Sequence, residues 1–226
     1  MKDLTSRDLQ ITRSPGFFFS HRLYPILDVE AARARSLDPL QLVSLWLDAG
    51  IALVQVRAKT LGSGALLTLV DRTVALAEAR AAATIVNDRA DIARMAGAAG
   101  VHVGQDDLRP ADARRIVGAG GIVGFSTHTG EQLDAGCAEP VDYLAIGPVF
   151  ATGTKTDHAA PVGVDGVARA ASRAARAGLP LVAIGGITLA TAPAVIEAGA
   201  GAVAVIADLI AGDPASRIRD FLKALS

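Results

Sequence analysis

Polar and charged residues in this chain are concentrated immediately after short β-rich runs. They occur as Gln55-Val56-Arg57-Ala58-Lys59, Asn87-Asp88, His102-Val103-Gly104-Gln105-Asp106-Asp107, Ser126-Thr127-His128 and Thr152-Gly153-Thr154-Lys155. Arg57, Lys59 and Lys155 supply positive charge, while Asp88 and Asp107 supply hard oxygen donors suited to Mg2+. That ion commonly takes one or two carboxylates, keeps several waters and bridges to substrate phosphates. Cations combined with such a pair of carboxylates point to a pyrophosphate. Taken singly, the residues have plainer readings. Arg57 and Lys59 read as rim charges, and Asn87 and Asp88 read as caps for the unpaired N–H groups of a following helix. His128 is a base, a hydrogen-bond donor to a ligand or a rim residue. His102, between Val101 and Val103, is expected to point inward as a satisfied core histidine. The sequence has no pair of histidines at metal-ligand spacing and no cysteine cluster, which disfavours zinc.

The elements that must position these residues alternate along the chain. Strands are expected over 23–28, 52–56, 83–87, 100–103, 122–125, 143–146, 180–184 and 202–206. Helices are expected near 39–49, 64–81, 89–96, 109–117, 130–137, 166–177, 189–198 and 214–224. This is βα repetition around a parallel sheet. Leu181-Val182-Ala183-Ile184 and Val203-Ala204-Val205-Ile206 are apolar at successive positions, as required when both faces of a strand are buried. A closed (β/α)8 TIM barrel, an α/β fold in a single domain, satisfies that condition for every strand. An open doubly wound sheet would usually carry a glycine-rich loop after its first strand, and residues 29–36 contain no glycine. In a barrel the βα loops gather at one mouth, so the polar groups converge; mere solvated charges would also appear at the opposite strand ends. Gly185-Gly186 and the Ala204-Val205-Ile206-Ala207 segment place backbone N–H groups where barrels often hold a phosphate. The plainer reading of the glycine pair is a tight turn.

Composition narrows the function classes. The 226 residues are 51% hydrophobic and 20% charged, as in a packed globular protein. Net charge is −1 with the basic residues scattered, so nucleic acid is not an expected partner. Cys137 is the only cysteine, which rules out an internal disulfide, fits a reducing cytoplasm and reads as a structural thiol. No apolar run approaches the ~20 residues needed to cross a bilayer. Residues 1–10 carry acidic side chains and no signal-peptide core, so the protein is expected to be cytoplasmic, with no membrane partner. Residues 1–22 read as an N-terminal extension to a catalytic barrel over 23–226, with the apolar triplet Phe17-Phe18-Phe19 expected to plug or cover the barrel. The oligomeric state is left open.

Together these residues resemble the thiamine phosphate synthase (thiamine-phosphate pyrophosphorylase) family, in the family's order, from about Leu23 to Leu222. The matching pieces are Gln55-Val56-Arg57-Ala58-Lys59, Asn87-Asp88, Gly100-Val101-His102-Val103-Gly104-Gln105-Asp106-Asp107 and Gly124-Phe125-Ser126. Gly147-Pro148-Val149-Phe150, Thr152-Gly153-Thr154-Lys155 and Ile184-Gly185-Gly186-Ile187 complete the set. The resemblance implies an enzyme that joins hydroxymethylpyrimidine pyrophosphate to thiazole phosphate, giving thiamine phosphate and pyrophosphate by a dissociative, Mg2+-assisted route. It implies that Gln55, Val56, Arg57, Ala58, Lys59, Asn87, Ser126 and Lys155 hold the pyrimidine substrate, with Arg57, Lys59, Ser126 and Lys155 catalytic. Asp88 and Asp107 would ligate Mg2+, while Thr152, Gly153, Thr154, Gly186, Ile206 and Ala207 would hold the thiazole phosphate. Two positions depart from the family pattern: Gly153 stands where Pro is frequent, and Ala207 where a serine is common, removing one hydroxyl. A related thiazole tautomerase would use His128 for proton transfer and need no metal pair. A non-catalytic thiamine-precursor-binding barrel would tolerate loss of the carboxylates.

Overall fold

The computed structural model describes residues 22–152 and 160–226. The expected extension, with its Phe triplet, lies outside the described residues except for Arg22, and so do Gly153, Thr154 and Lys155. Eight parallel strands close into a barrel in sequence order. They are β1 (Leu23–Asp28), β2 (Leu53–Arg57), β3 (Ala83–Asn87), β4 (Gly100–Val103), β5 (Ile122–Thr127), β6 (Tyr143–Ile146), β7 (Leu181–Ile184) and β8 (Ala202–Val205). Closure is made by β1 on β8, with Leu23 opposite Val203 and Pro25 opposite Val205.

Helices α1 (Val29–Ala34), α2 (Pro39–Asp48), α3 (Ser63–Glu78), α4 (Ala90–Met95) and α5 (Pro110–Val117) cover the first half of the barrel. The second half carries α6 (Gly130–Gly136), α7 (Gly163–Arg176), α8 (Ala192–Glu197), a 3-10 turn (Ala207–Ile210) and α9 (Pro214–Ala224). Local sequence explains several starts. Asp38 accepts from the N–H groups of Leu40 and Gln41 ahead of Pro39, and Asp213 does the same for Ala215 and Ser216 ahead of Pro214.

The strands read as continuous apolar runs because each is buried on two faces by different layers. Tyr24, Ile26, Leu53, Ile85, Ile122, Tyr143 and Val182 fill the barrel interior. Leu27, Val54, Val56, Val86, Val101, Val123 and Leu144 pack outward against the helices. At Gly124 the interior has no room for a side chain, since a Cβ would lie 2.1 Å from Tyr143 Cζ and 2.5 Å from His102 Nδ1.

Two elements were not expected from the sequence: α1 and the 3-10 turn. Both are short, and periodicity has little to act on over so few residues. Two strands run further than expected. Arg57 remains in β2 because it pairs with Asp28, and Ser126 and Thr127 remain in β5 because they pair with Ala145 and Ile146. β8 stops at Val205, before Ile206 turns out of the strand at φ −116° and ψ −81°.

Candidate active site at the barrel mouth

At the ends of β1 and β2, Arg57 forms an ion pair with Asp28, and their side chains are only 11% and 4% exposed. Asp28 also caps α1, accepting from Ala31 N at 2.8 Å. Glu30, in the first turn of α1, accepts from Thr60 N at 3.0 Å and Thr60 Oγ1 at 2.7 Å. Helix α1 therefore braces the segment that carries Arg57, Ala58 and Lys59. Arg57 Nε has no hydrogen-bond partner although it is buried. It lies among Gln55, Asn87 and His102 at the upper end of the barrel interior. A buried donor left unpaired is costly, so this atom is suited to an anion that enters the mouth.

Beside it, Lys59 Nζ donates to Asp88 Oδ2. Asp88 sits in the left-handed region at φ 63°, a conformation Asp tolerates better than most residues, with its N–H donating to the His102 carbonyl at 2.7 Å. The alternative in which this pair caps the next helix is not what the chain does: the N-cap of α4 is Arg89, with no side-chain cap bond. Burial pushes the Asp88 carboxyl above its ordinary range and the facing Asp107 carboxyl pushes it the same way, while the Lys59 ammonium opposes both. Asp107 Oδ2 accepts from Gly104 N at 2.8 Å. Among the described residues no group of three or more His, Cys, Asp or Glu side chains gathers at one point. Asp88 and Asp107 form a pair.

Ser126 stands at the top of a hydrogen-bonded column. Its Oγ is 2.8 Å from His102 Nε2, and His102 Nδ1 is 2.9 Å from Tyr143 Oη. Tyr143 Oη is 3.2 Å from Tyr24 Oη, which accepts from Gln55 Nε2 at 3.1 Å. Burial drives both phenols well above their ordinary pKa, so each keeps its proton. The Gln55 amide donates into the column at Tyr24, and each hydroxyl and the imidazole beyond it can both give and accept, so the column is continuous up to Ser126. Gln105 Nε2 steadies the end of β5 by donating to the Ser126 carbonyl at 2.6 Å.

From Ser126 a cavity of about 420 Å3 extends towards β7 and β8, bordered by His128, Thr152, Gly186, Ile206 and Ala207. Gly185 and Gly186 adopt φ 102° and 66°, and a Cβ on Gly186 would lie 2.6 Å from the Ala151 carbonyl. Glycine is required there for turn and space alike. His128 Nδ1 lies 2.6 Å from the Gly147 carbonyl, which can only accept, so that nitrogen carries the proton.

The expected residues therefore separate by place. Arg57, Asn87, Ser126, Thr152, Gly186, Ile206 and Ala207 border the interior or the cavity, and Lys59, Asp88 and Asp107 cluster on the rim beside β3 and β4. Gln55 is engaged by Tyr24 one layer below the mouth. The Val56 side chain packs outward in the helix–sheet layer, and Ala58 packs against that layer. Neither lines the interior or the cavity. Three residues were missed by reading the sequence: Asp28, Glu30 and Arg35. The strand-end rule applied to β1 would have found Asp28; the other two carry no local signal.

Comparison with known proteins places the chain in a family. Residues 23–209 match the family model described as thiamine monophosphate synthase. A thiamine-phosphate synthase of Koribacter versatilis is 44% identical over 206 residues, covering 90% of this chain and 95% of that protein. Another, of Azorhizobium caulinodans, is 38% identical and covers 92% of this chain and 95% of its own length. The solved structure of thiamine phosphate pyrophosphorylase from Pyrococcus furiosus superposes with a TM-score of 0.78 at 25% identity, covering 90% of this chain and 96% of that one.

Proposed function

Because the chain belongs to the thiamine monophosphate synthase family, we propose that its barrel mouth transfers the pyrimidinylmethyl group of hydroxymethylpyrimidine pyrophosphate to thiazole phosphate. The observation that carries this reading is the division of the mouth. A charged half (Arg57, Lys59, Asp88, Asp107) and a glycine-walled cavity meet at Ser126. Two anionic substrates have separate places, and their reacting atoms come together between them.

In the reaction the methylene C–O bond breaks with its electron pair going to pyrophosphate. The aminopyrimidine carries the methylene cation until the thiazole nitrogen supplies a pair for the new C–N bond. No proton or external electron is consumed. The step needs charge stabilisation more than a strong base. Arg57, held by Asp28 and with its buried Nε unpaired, and Lys59 neutralise the leaving pyrophosphate; Lys155 is assigned the same task. Ser126, fixed by His102, orients the pyrimidine, and the largely aliphatic cavity walls limit the water that reaches the cation.

The donor set suits a hard divalent cation: two carboxylates lie together on the rim, and burial, with the neighbouring Asp107 adding to it, raises the Asp88 carboxyl above its ordinary range. Asp88 and Asp107 would hold Mg2+, which when bound would offset the charge accumulating on pyrophosphate. Among the described residues no helix is long and apolar enough to cross a membrane. We assign the protein to the cytoplasm.

The deciding experiment incubates the full chain with both substrates, with and without Mg2+, and measures thiamine phosphate and pyrophosphate. Both should form in equal amounts and only with the metal. A second reading rests on His128, whose Nδ1–H is anchored on the Gly147 carbonyl, the arrangement that leaves Nε2 as the basic atom. Isomerisation of a thiazole carboxylate phosphate without any thiamine phosphate would establish that tautomerase reading instead.

A further inference from the structure

The cavity assigned to the second substrate has walls of backbone, glycine and aliphatic side chains. Only two described residues on it carry formal charge, Arg35 and Asp208. Asp208 is already satisfied: its Oδ2 accepts from Leu189 N at 2.7 Å and its Oδ1 from Arg217 Nη2 at 2.6 Å. Arg217 is held in place by a further bond to the Asp208 carbonyl at 3.1 Å, so its charge is spent on that carboxylate. Arg35 is different. It is exposed, and no described side chain bonds to its guanidinium.

Its place on the rim is set by the backbone. α1 lasts six residues and ends at Arg35, whose N–H donates back to the Ala32 carbonyl at 3.0 Å. Ser36 then turns at φ 56°, and Leu37 N closes on the same carbonyl at 3.0 Å. Because β1 pairs with β8, this turn lies against the end of β8 and shares the cavity wall with Ile206, Ala207 and Ala211. Arg35 thus borders the same cavity as Gly186 and Ala207.

We propose that Arg35 is a specificity-determining residue that closes over the phosphate of the thiazole substrate. This rests on the function proposed above. The planar fork of Arg suits two phosphate oxygens at once, and an exposed, unpaired guanidinium has no ion pair to break before it binds. Ala207, on the same wall, offers no hydroxyl, so among the described lining residues the Arg35 guanidinium is the one cationic donor available to a phosphate. The residue selects for the phosphorylated thiazole over the free alcohol and does not touch the pyrimidine.

The test compares the full-length wild type with Arg35→Gln and Arg35→Lys at saturating hydroxymethylpyrimidine pyrophosphate and Mg2+. Thiazole phosphate and its unphosphorylated alcohol are varied in parallel. For Arg35→Gln, KM for thiazole phosphate should rise roughly tenfold, the scale of one charge-assisted contact in a partly screened site. Turnover and the KM for the pyrimidine substrate should stay within about twofold, and use of the alcohol should not change. Arg35→Lys should recover part of the loss, since it keeps charge without the fork. An unchanged KM for thiazole phosphate, or equal losses for phosphate and alcohol, would overturn the proposal. Inorganic phosphate supplies an arm independent of turnover. It should raise the melting temperature of wild type more than that of Arg35→Gln, and equal shifts would also count against Arg35. Wild type that makes no thiamine phosphate would defeat the functional reading, and the inorganic-phosphate arm would then decide the role of Arg35 alone.

Discussion

Replacing Asp28 with Asn isolates the ion pair that holds Arg57. Asn keeps an oxygen for the Ala31 N–H, so the cap of α1 survives, while the charge facing the guanidinium is lost. With both side chains nearly sealed from water, Arg57 would become an uncompensated buried cation. Breaking such a pair from one side costs about 3–5 kcal/mol, against about 0–1 kcal/mol for a solvated pair. For a domain of this length, each kcal/mol moves the melting temperature by about 2–4 °C, so Asp28→Asn should melt on the order of 10 °C lower. Asp28→Ala should lose about 1 kcal/mol more, because the cap goes as well. The double variant Asp28→Asn/Arg57→Gln should regain part of the loss, since no charge is then stranded. Urea unfolding followed by circular dichroism reads all three, with the slope checked for constancy so that midpoints report stability. A cost below about 1 kcal/mol for Asp28→Asn would show that Arg57 is effectively solvated and that its buried Nε is no measure of readiness for an anion.

Other consequences can be checked more briefly. The folded Asp88 carboxyl titrates above its ordinary value of 3.8, so what it contributes to metal-free stability is present below that value and lost as pH rises through the folded pKa. Mg2+ requires the deprotonated pair; its stabilising shift in thermal melts should therefore be larger at about pH 7.5 than at about pH 5 and absent in Asp88→Asn. An equal shift in that variant would remove Asp88 from the metal site. Gly124→Ala places a methyl 2.1 Å from Tyr143 Cζ, which should cost about 1–3 kcal/mol in urea unfolding and raise KM for the pyrimidine substrate by disturbing the column under Ser126. Wild-type stability and KM together would mean the interior repacks freely. Lys155→Ala should slow thiamine phosphate formation tenfold or more, about the effect of one lost transition-state charge contact, with His128→Gln costing far less. The reverse ranking in parallel coupling and isomerisation assays would favour the tautomerase reading.

The sequence by itself determined the repeat of strand and helix, the closed parallel fold and the rule that chemistry sits at the strand ends. Those features are local: a strand buried on both faces must be apolar throughout, and parallel strands send all their βα loops to one side. Arg57, Asp88, Ser126 and Gly186 could be singled out on that basis. The tertiary structure decided which of these meet. Strand parity turned Gln55 and Arg57 inward and Val56 outward, although they are neighbours in the chain. Pairing of β1 with β2 put Asp28 against Arg57, and pairing of β1 with β8 brought Arg35 to a cavity otherwise built by β5 to β8. Asp88 and Asp107 face each other only because β3 and β4 end side by side, and that contact adds to burial in raising the Asp88 pKa. Such neighbours lie tens to more than a hundred residues apart in the chain, as in Leu23 opposite Val203, and their contacts come from barrel closure, which no local run of residues encodes.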